Sequence, residues 1–260
     1  MLPNDYISGL LQHITSSVCL GYFDDTLQGI YLGVAYIEEH KLNQSANFRA
    51  LMFAYHATYR IIVHNYMGEK RRILDTIKQT LPQLSLHEHA LSFELKQIIY
   101  GNLMNTYMAA GDLEQAEAVW DNLFNKQSKT VWLDIYADLF LFRLFLLLHT
   151  KNYSLLLPAA QAAERFYRKN EQPKQQFEVE LPIALLLQKD RDYRDPEVLK
   201  QVMAEASGFV QKFIGNLPGL NNFQEHYTRY IIWCDAIEHD EPYYEAARRW
   251  YKGYVASSSN

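Results

Sequence analysis

The chain carries nine histidines, and the densest group, His87-Glu88-His89, is the first place to look for metal or proton chemistry. On a helix, an i, i+2 spacing turns two imidazoles to different faces, whereas a helical zinc pair sits at i, i+4. The triplet is therefore read as a solvated helix start. His56 and His64 lie eight apart among Tyr55, Tyr59 and Ile62, nearly on one helix face, which suits helix packing through hydrogen bonds better than a ligand pair. His239, Asp240 and Glu241 read as the end of one helix and the cap of the next. The paired carboxylates Glu38/Glu39 and Asp24/Asp25 also fall where helix ends place acids. No Gly-x-Ser-x-Gly occurs, neither cysteine has a histidine close in sequence, and no glycine-rich phosphate loop is present. The expected set is thus no catalytic residue, no metal and no cofactor.

Composition narrows the partners. Lys plus Arg 25 against Asp plus Glu 30 leaves a formal charge of −5 without charge blocks, so there is no basic stripe for a nucleic-acid backbone to meet. Cys19 and Cys234 stand 215 positions apart in apolar helical patterns, which is neither a disulfide framework nor a thiolate metal site and points to a reduced cytoplasm. The first twenty residues have no Lys or Arg and no uninterrupted apolar run, so no signal peptide is expected. Val131–Leu148 is apolar but contains Asp134, Asp138 and Arg143, which are costly in lipid, and is read as a buried helix. No membrane partner is expected.

Strand patterns are lacking and helical spacing recurs, so the fold class is all-α. Val198, Leu199, Val202, Met203, Ala206, Phe209, Val210, Phe213 and Ile214 form a broad stripe, opened by Asp195 as N-cap with Pro196 at the first helical position and closed before Gly215. Between Gly111 and Pro158 lie 46 residues without Gly or Pro, divided by the polar stretch 125–130 into two helices. About twelve helices follow: Asp5–Leu20, Asp24–Leu42, Ser45–Met67, Glu69–Leu81, Leu86–Ala110, Leu113–Asn125, Val131–Thr150, Ser154–Lys169, Pro173–Asp190, Pro196–Ile214, Leu220–His239 and Pro242–Val255. Short connections make successive helices antiparallel neighbours. Pro182 should kink or break the ninth near Leu181. Gly29 to Gly33 places two small residues where neighbouring helices can approach closely.

One hairpin carries a family resemblance. Tyr100, Leu103, Met104, Tyr107, Gly111, Asp112, Leu113, Ala116, Trp120 and Leu123 resemble the tetratricopeptide pattern of large residue, leucine, tyrosine, turn glycine with an acidic neighbour, alanine, aromatic and final apolar residue. Weaker copies centre on Gly21, on Gly68, and on Asn152-Tyr153. Their turns are spaced by 47, 43 and about 40 residues, longer than the roughly 34 of a regular unit. The resemblance implies one domain over residues 1–260, a degenerate tetratricopeptide-like stack of antiparallel hairpins with the last helices, about 220–255, as a cap; an irregular helical bundle is the alternative.

In that family the first helix of each hairpin lines the concave groove, which here implies Tyr55, Thr58, Ile62, Asn65, Ile98, Gly101, Asn102, Asn105 and Met108 as exposed peptide-binding residues. Domains of this family that clamp a C-terminal carboxylate have a lysine and an asparagine four apart, then an asparagine in the next unit. Asn105 matches, but Gly101 stands at the lysine position and Phe142 at the second asparagine, so that clamp is not expected. The expected function is a non-enzymatic scaffold or adaptor holding a protein or peptide in its concave face. Two other readings stay open: a regulatory or sensor module for a small peptide, and a helical enzyme or metal protein. Pro242, Tyr243, Tyr244, Ala246, Ala247, Trp250, Tyr251 and Tyr254 form an aromatic face that must bury against the preceding helices or against a second copy in a homodimer.

Overall fold

The computed structural model describes residues 3–42, 45–125, 133–171, 177–216 and 222–258. Among these, twelve α-helices and no strand occur: α1 Pro3–Cys19, α2 Phe23–Glu39, α3 Ala46–Met67, α4 Lys70–His87, α5 Phe93–Ala110, α6 Leu113–Asn125, α7 Leu133–His149, α8 Leu156–Asn170, α9 Glu180–Leu186, α10 Pro196–Asn216, α11 Asn222–Glu238 and α12 Tyr243–Ser258. The protein is all-α, and each helix answers to one expected from the sequence. No helix of the described residues is long and apolar enough to cross a membrane. The helix read as buried, α7, has Leu139, Leu141, Phe142 and Leu144–Leu148 in the core, and Arg143 on its rim pairs with Glu117 at 2.8 Å and lies over the Trp120 ring.

Hairpin turns share one backbone device. At Gly21, Lys41, Gly111, Lys151 and Asp240 the chain enters the left-handed region, and the next residue's N–H reaches back five residues. Examples are Asp112 N to Tyr107 O at 2.9 Å and Asn152 N to Leu147 O at 2.8 Å. That pattern satisfies the carbonyls a helix end leaves open. Gly68 makes the simpler version, its N–H bonding His64 O at 3.2 Å. Caps at the other ends are as chemistry suggests: Asp195 Oδ1 accepts from Glu197 N at 2.9 Å, Asp112 Oδ1 from Gln115 N at 3.3 Å, and Ser92 Oγ from Leu95 N at 3.3 Å.

Three boundaries differ from expectation. α4 continues through Pro82 to His87 rather than ending at Leu81, because Pro82 is exposed while Leu84 in the added turn is buried in the core. His87-Glu88-His89 consequently closes α4 and forms a short 3-10 turn, and is not the start of a helix. The ninth helix shrinks to Glu180–Leu186, with Pro182 as its third residue, where the missing N–H has no intrahelical partner to lose. Residues 173–176 of that expected helix, 126–132 across the dividing stretch and the expected start of α7, and 220–221 at the expected start of the eleventh helix lie outside the described residues.

The helices pair in sequence as α1/α2, α3/α4, α5/α6 and α7/α8, and the first members α1, α3, α5 and α7 pack side by side as a row. Gly29 and Gly33 let α1 approach α2: a Cβ on Gly29 would stand 2.8 Å from Ile14 Cγ1, and one on Gly33 3.1 Å from Leu10 Cδ2. The C-terminal hairpin α11/α12 lies across that row. α11 touches both α1 and α7, the two ends of the row, so the row wraps around the hairpin, while α12 seats on α3 and α5. Tyr243, Ala246 and Ala247 are buried, Trp250 packs on Tyr66 and Tyr251 on Phe23. That part of the aromatic face of α12 is buried within the chain, while Tyr244, Trp250, Tyr251 and Tyr254 are half-buried.

Two glycines key this docking. Gly21 lies under the Tyr254 ring, whose hydroxyl donates to Leu20 O at 2.6 Å, and Gly68 O accepts from Arg248 Nη2 at 3.2 Å. A Cβ on Gly68 would collide with the backbone of Tyr244 and Arg248, whereas one on Gly111 meets open space. Both need a positive φ, so Gly111→Ala should cost about 1 kcal/mol for backbone conformation alone. Gly68→Ala should cost clearly more, about 3 kcal/mol or above, because α12 must also shift. Urea unfolding of the two variants, compared with the parent chain, measures the difference.

Candidate functional site

The wrapped row leaves one cavity of about 280 Å³ between α1, α3 and α5 on one side and α11/α12 on the other. Its apolar wall comes from Val18, Ile62, Tyr66 and Tyr243. Its polar groups are Asn65, Asn102 and Asn105, the Tyr59 phenol beside Thr15, the Cys19 thiol, and Arg229.

The hydrogen bonds fix how the amides point. Thr106 gives its hydroxyl proton to Asn102 O at 2.6 Å, so it must accept from Asn65 Nδ2 at 3.1 Å. That orients Asn65 Oδ1 away from Thr106, and this buried oxygen has no hydrogen-bond partner. Asn105 Oδ1 accepts from Trp233 Nε1 at 3.1 Å; indole nitrogen can only donate, so the Asn105 Nδ2 group is left to the cavity. Asn102 Nδ2 donates to Ile98 O at 2.9 Å. Thr15 Oγ1 donates to Leu11 O at 2.9 Å, hence Tyr59 Oη donates to Thr15 at 2.7 Å and keeps its lone pairs. Burial raises the Tyr59 hydroxyl above its ordinary range, so it stays a neutral phenol.

Beneath the cavity sits a charged cluster. Arg229 Nη2 contacts Asp138 Oδ2 at 2.5 Å, and its guanidinium lies over the rings of Phe142 and Tyr230. Tyr230 donates to Asp138 and stands 3.4 Å from Glu180 Oε1. Burial first, and the neighbouring Asp138 second, push the Glu180 carboxyl up to about 7, so one guanidinium faces one carboxylate and one carboxylic acid.

Of the nine residues expected to line an exposed groove, Ile62, Asn65, Asn102 and Asn105 come together in this cavity. Tyr55, Thr58, Ile98 and Gly101 are half-buried and outside its lining, and Met108 is in the core. None is exposed: Asn65 is 3%, Asn105 5% and Met108 1% accessible. The expectation of an open face is corrected here by the C-terminal hairpin, which covers it. The Phe142 and Gly101 departures from the carboxylate clamp stand beside a further one, since Asn105 is held by Trp233. Thr15, Val18, Cys19, Tyr59, Tyr66, Arg229 and Tyr243 were not anticipated in the site. Arg229 left a signal, as a lone cation between Tyr227 and Ile231 in a stretch of aromatic and apolar residues, where charge needs a buried partner.

The other candidates resolve structurally. His64 Nδ1 donates to Thr76 Oγ1 at 2.6 Å, since Thr76 itself donates to Arg72 O. His56 faces Gly33 and lines a different cavity from His64. Burial, helped by nearby arginines, lowers both imidazoles to about 4, so both are neutral near pH 7. Asp235, His239 and Glu241 cluster closely enough to hold a cation, but Arg249 already binds Asp235 and Glu241, each at 2.5 Å. Cys234 is buried and its thiol is pushed up by that burial. Compared with protein-family models, with curated proteins and with solved structures, the chain finds no match.

Glu180 gives the cluster a pH signature. It stays protonated in the fold up to about 7 but ionises near 4.5 once unfolded. Between those values the unfolded chain has released a proton that the folded chain keeps, so this group makes folding less favourable as pH rises, by up to about 3 kcal/mol above both. Glu180→Gln should therefore raise Tm at about pH 8 and leave it nearly unchanged at about pH 4, where the carboxyl is protonated in both states. Thermal unfolding at both pH values checks this.

Proposed function

We propose that this chain is a ligand-binding module without chemistry of its own, built from tetratricopeptide-like hairpins, and that its ligand is a short peptide taken into the cavity between the inner row and α11/α12. The observation that carries the reading is Asn65 Oδ1, a buried acceptor with no partner, on a residue that lines a cavity of about 280 Å³. Buried polar atoms are almost always satisfied, and a regular exception is a group that a ligand completes. Left-handed turns at Gly21, Gly68, Gly111 and Lys151, in register with the expected repeat, support the tetratricopeptide-like arrangement. Amide and phenol groups hold ligands by hydrogen bonds, whereas the ionisable pair Asp138 and Glu180 is used against Arg229 and Tyr230.

This reading moves binding from an open groove for a large partner to a small, partly open cavity for a small one, which suits a sensor or regulatory module. Cys19 and a buried Cys234, 215 positions apart in the chain, fit a cytoplasmic setting. Selection of short random peptides on the immobilised chain tests the reading, with Ile62→Trp placing an indole in the cavity. Peptides enriched on the parent chain should lose binding at least about tenfold on the variant. Enrichment that Ile62→Trp leaves unchanged would contradict a site in this cavity.

A further inference from the structure

The hydrogen-bond bookkeeping of the cavity specifies what kind of group it holds. Asn65 offers an unpartnered acceptor, Oδ1, while one of the two Nδ2 protons is engaged by Thr106. Asn105 offers its Nδ2 donors, because its Oδ1, which accepts from Trp233, is turned toward that indole. Neither amide can flip: each is fixed by a neighbour with only one role left to play, the Thr106 oxygen as acceptor and the Trp233 indole as donor. The one charged lining residue, Arg229, is matched by Asp138 and sandwiched over aromatic rings. The remaining wall combines Val18, Ile62, Tyr66 and Tyr243 with the polar groups of Thr15, Cys19, Tyr59 and Asn102.

We infer that the cavity recognises a neutral amide on an apolar body: its N–H donates to Asn65 Oδ1 and its carbonyl accepts from Asn105 Nδ2. This rests on the binding reading above and names its ligand chemistry, which a backbone amide, an Asn or Gln side chain or a lactam would each supply. An anion is disfavoured twice. It would set an oxygen against the Asn65 oxygen, and it would enter a site whose guanidinium already has its carboxylate, at the cost of its own hydration. A purely apolar occupant would leave Asn65 Oδ1 without a donor.

Benzamide, benzoate and toluene share a ring and differ only in that group, so they serve as probes. Titrations followed by side-chain amide resonances should show benzamide binding about tenfold or more tightly than benzoate or toluene, with the Asn65 and Asn105 NH₂ signals shifting for benzamide alone. Asn65→Leu, of similar size and lacking the orphan oxygen, should stay folded and bind benzamide and toluene equally. If that variant fails to fold, discrimination among the three probes by the parent chain still decides. Benzoate binding as tightly as benzamide, or toluene doing so, overturns the amide assignment, as does failure of benzamide to bind. The peptide selection, which depends on none of these probes, then decides separately whether the cavity binds anything.

Discussion

Everything in this molecule depends on the seating of the α11/α12 hairpin against the row of first helices. Trp233, Tyr230 and Tyr243 are fully buried at that junction, and truncating such a residue typically costs about 3 to 5 kcal/mol. Against a total stability of about 5 to 15 kcal/mol for a typical domain, three such anchors make the hairpin part of the core. Among the described residues α11 reaches both ends of the row of α1, α3, α5 and α7, and α12 packs on α3 and α5 between them. Close backbone contact at Gly68 and the Tyr254 hydroxyl on Leu20 then set the register of α12.

The same junction explains where polarity is tolerated. Arg229 enters an otherwise aromatic layer only because Asp138 meets it, and Tyr230 ties Asp138 to Glu180. With two carboxyls and one guanidinium enclosed, a proton on Glu180 is the cheapest way to balance charge in a low dielectric. One layer away, Trp233 bonds Asn105 and Thr106 bonds Asn65. The cavity thus takes the orientation of Asn105 from a contact that docks the hairpin, and that of Asn65 from the packing of α3 on α5.

Local features were legible in the sequence because they are set by neighbours in the chain. Helix count, the Asp195 cap and the turns at Gly21, Gly68 and Gly111 follow from spacing, capping chemistry and the freedom of glycine at positive φ. Lys151 and Asp240 make the same left-handed turn without glycine, where residue type gave no sign. Pro82 misled because burial of Leu84 outweighs one lost hydrogen bond on an exposed face. Helix phase correctly grouped Ile62, Asn65, Asn102 and Asn105 on one side of the hairpins, yet gave the wrong exposure. Which surface the aromatic α12 would cover depends on contacts between residues some 180 apart, such as Arg248 with Gly68, and no periodicity encodes that.

Native-state hydrogen exchange of individual amides tests the central claim most directly. If α11/α12 is core, the amides around Tyr230 to Trp233 exchange only through global unfolding, with the same free energy and the same denaturant dependence as those of α7. Exchange of the α11/α12 amides by a separate opening at distinctly lower free energy, while α3, α5 and α7 stay protected, would contradict it and return the inner face to an open groove.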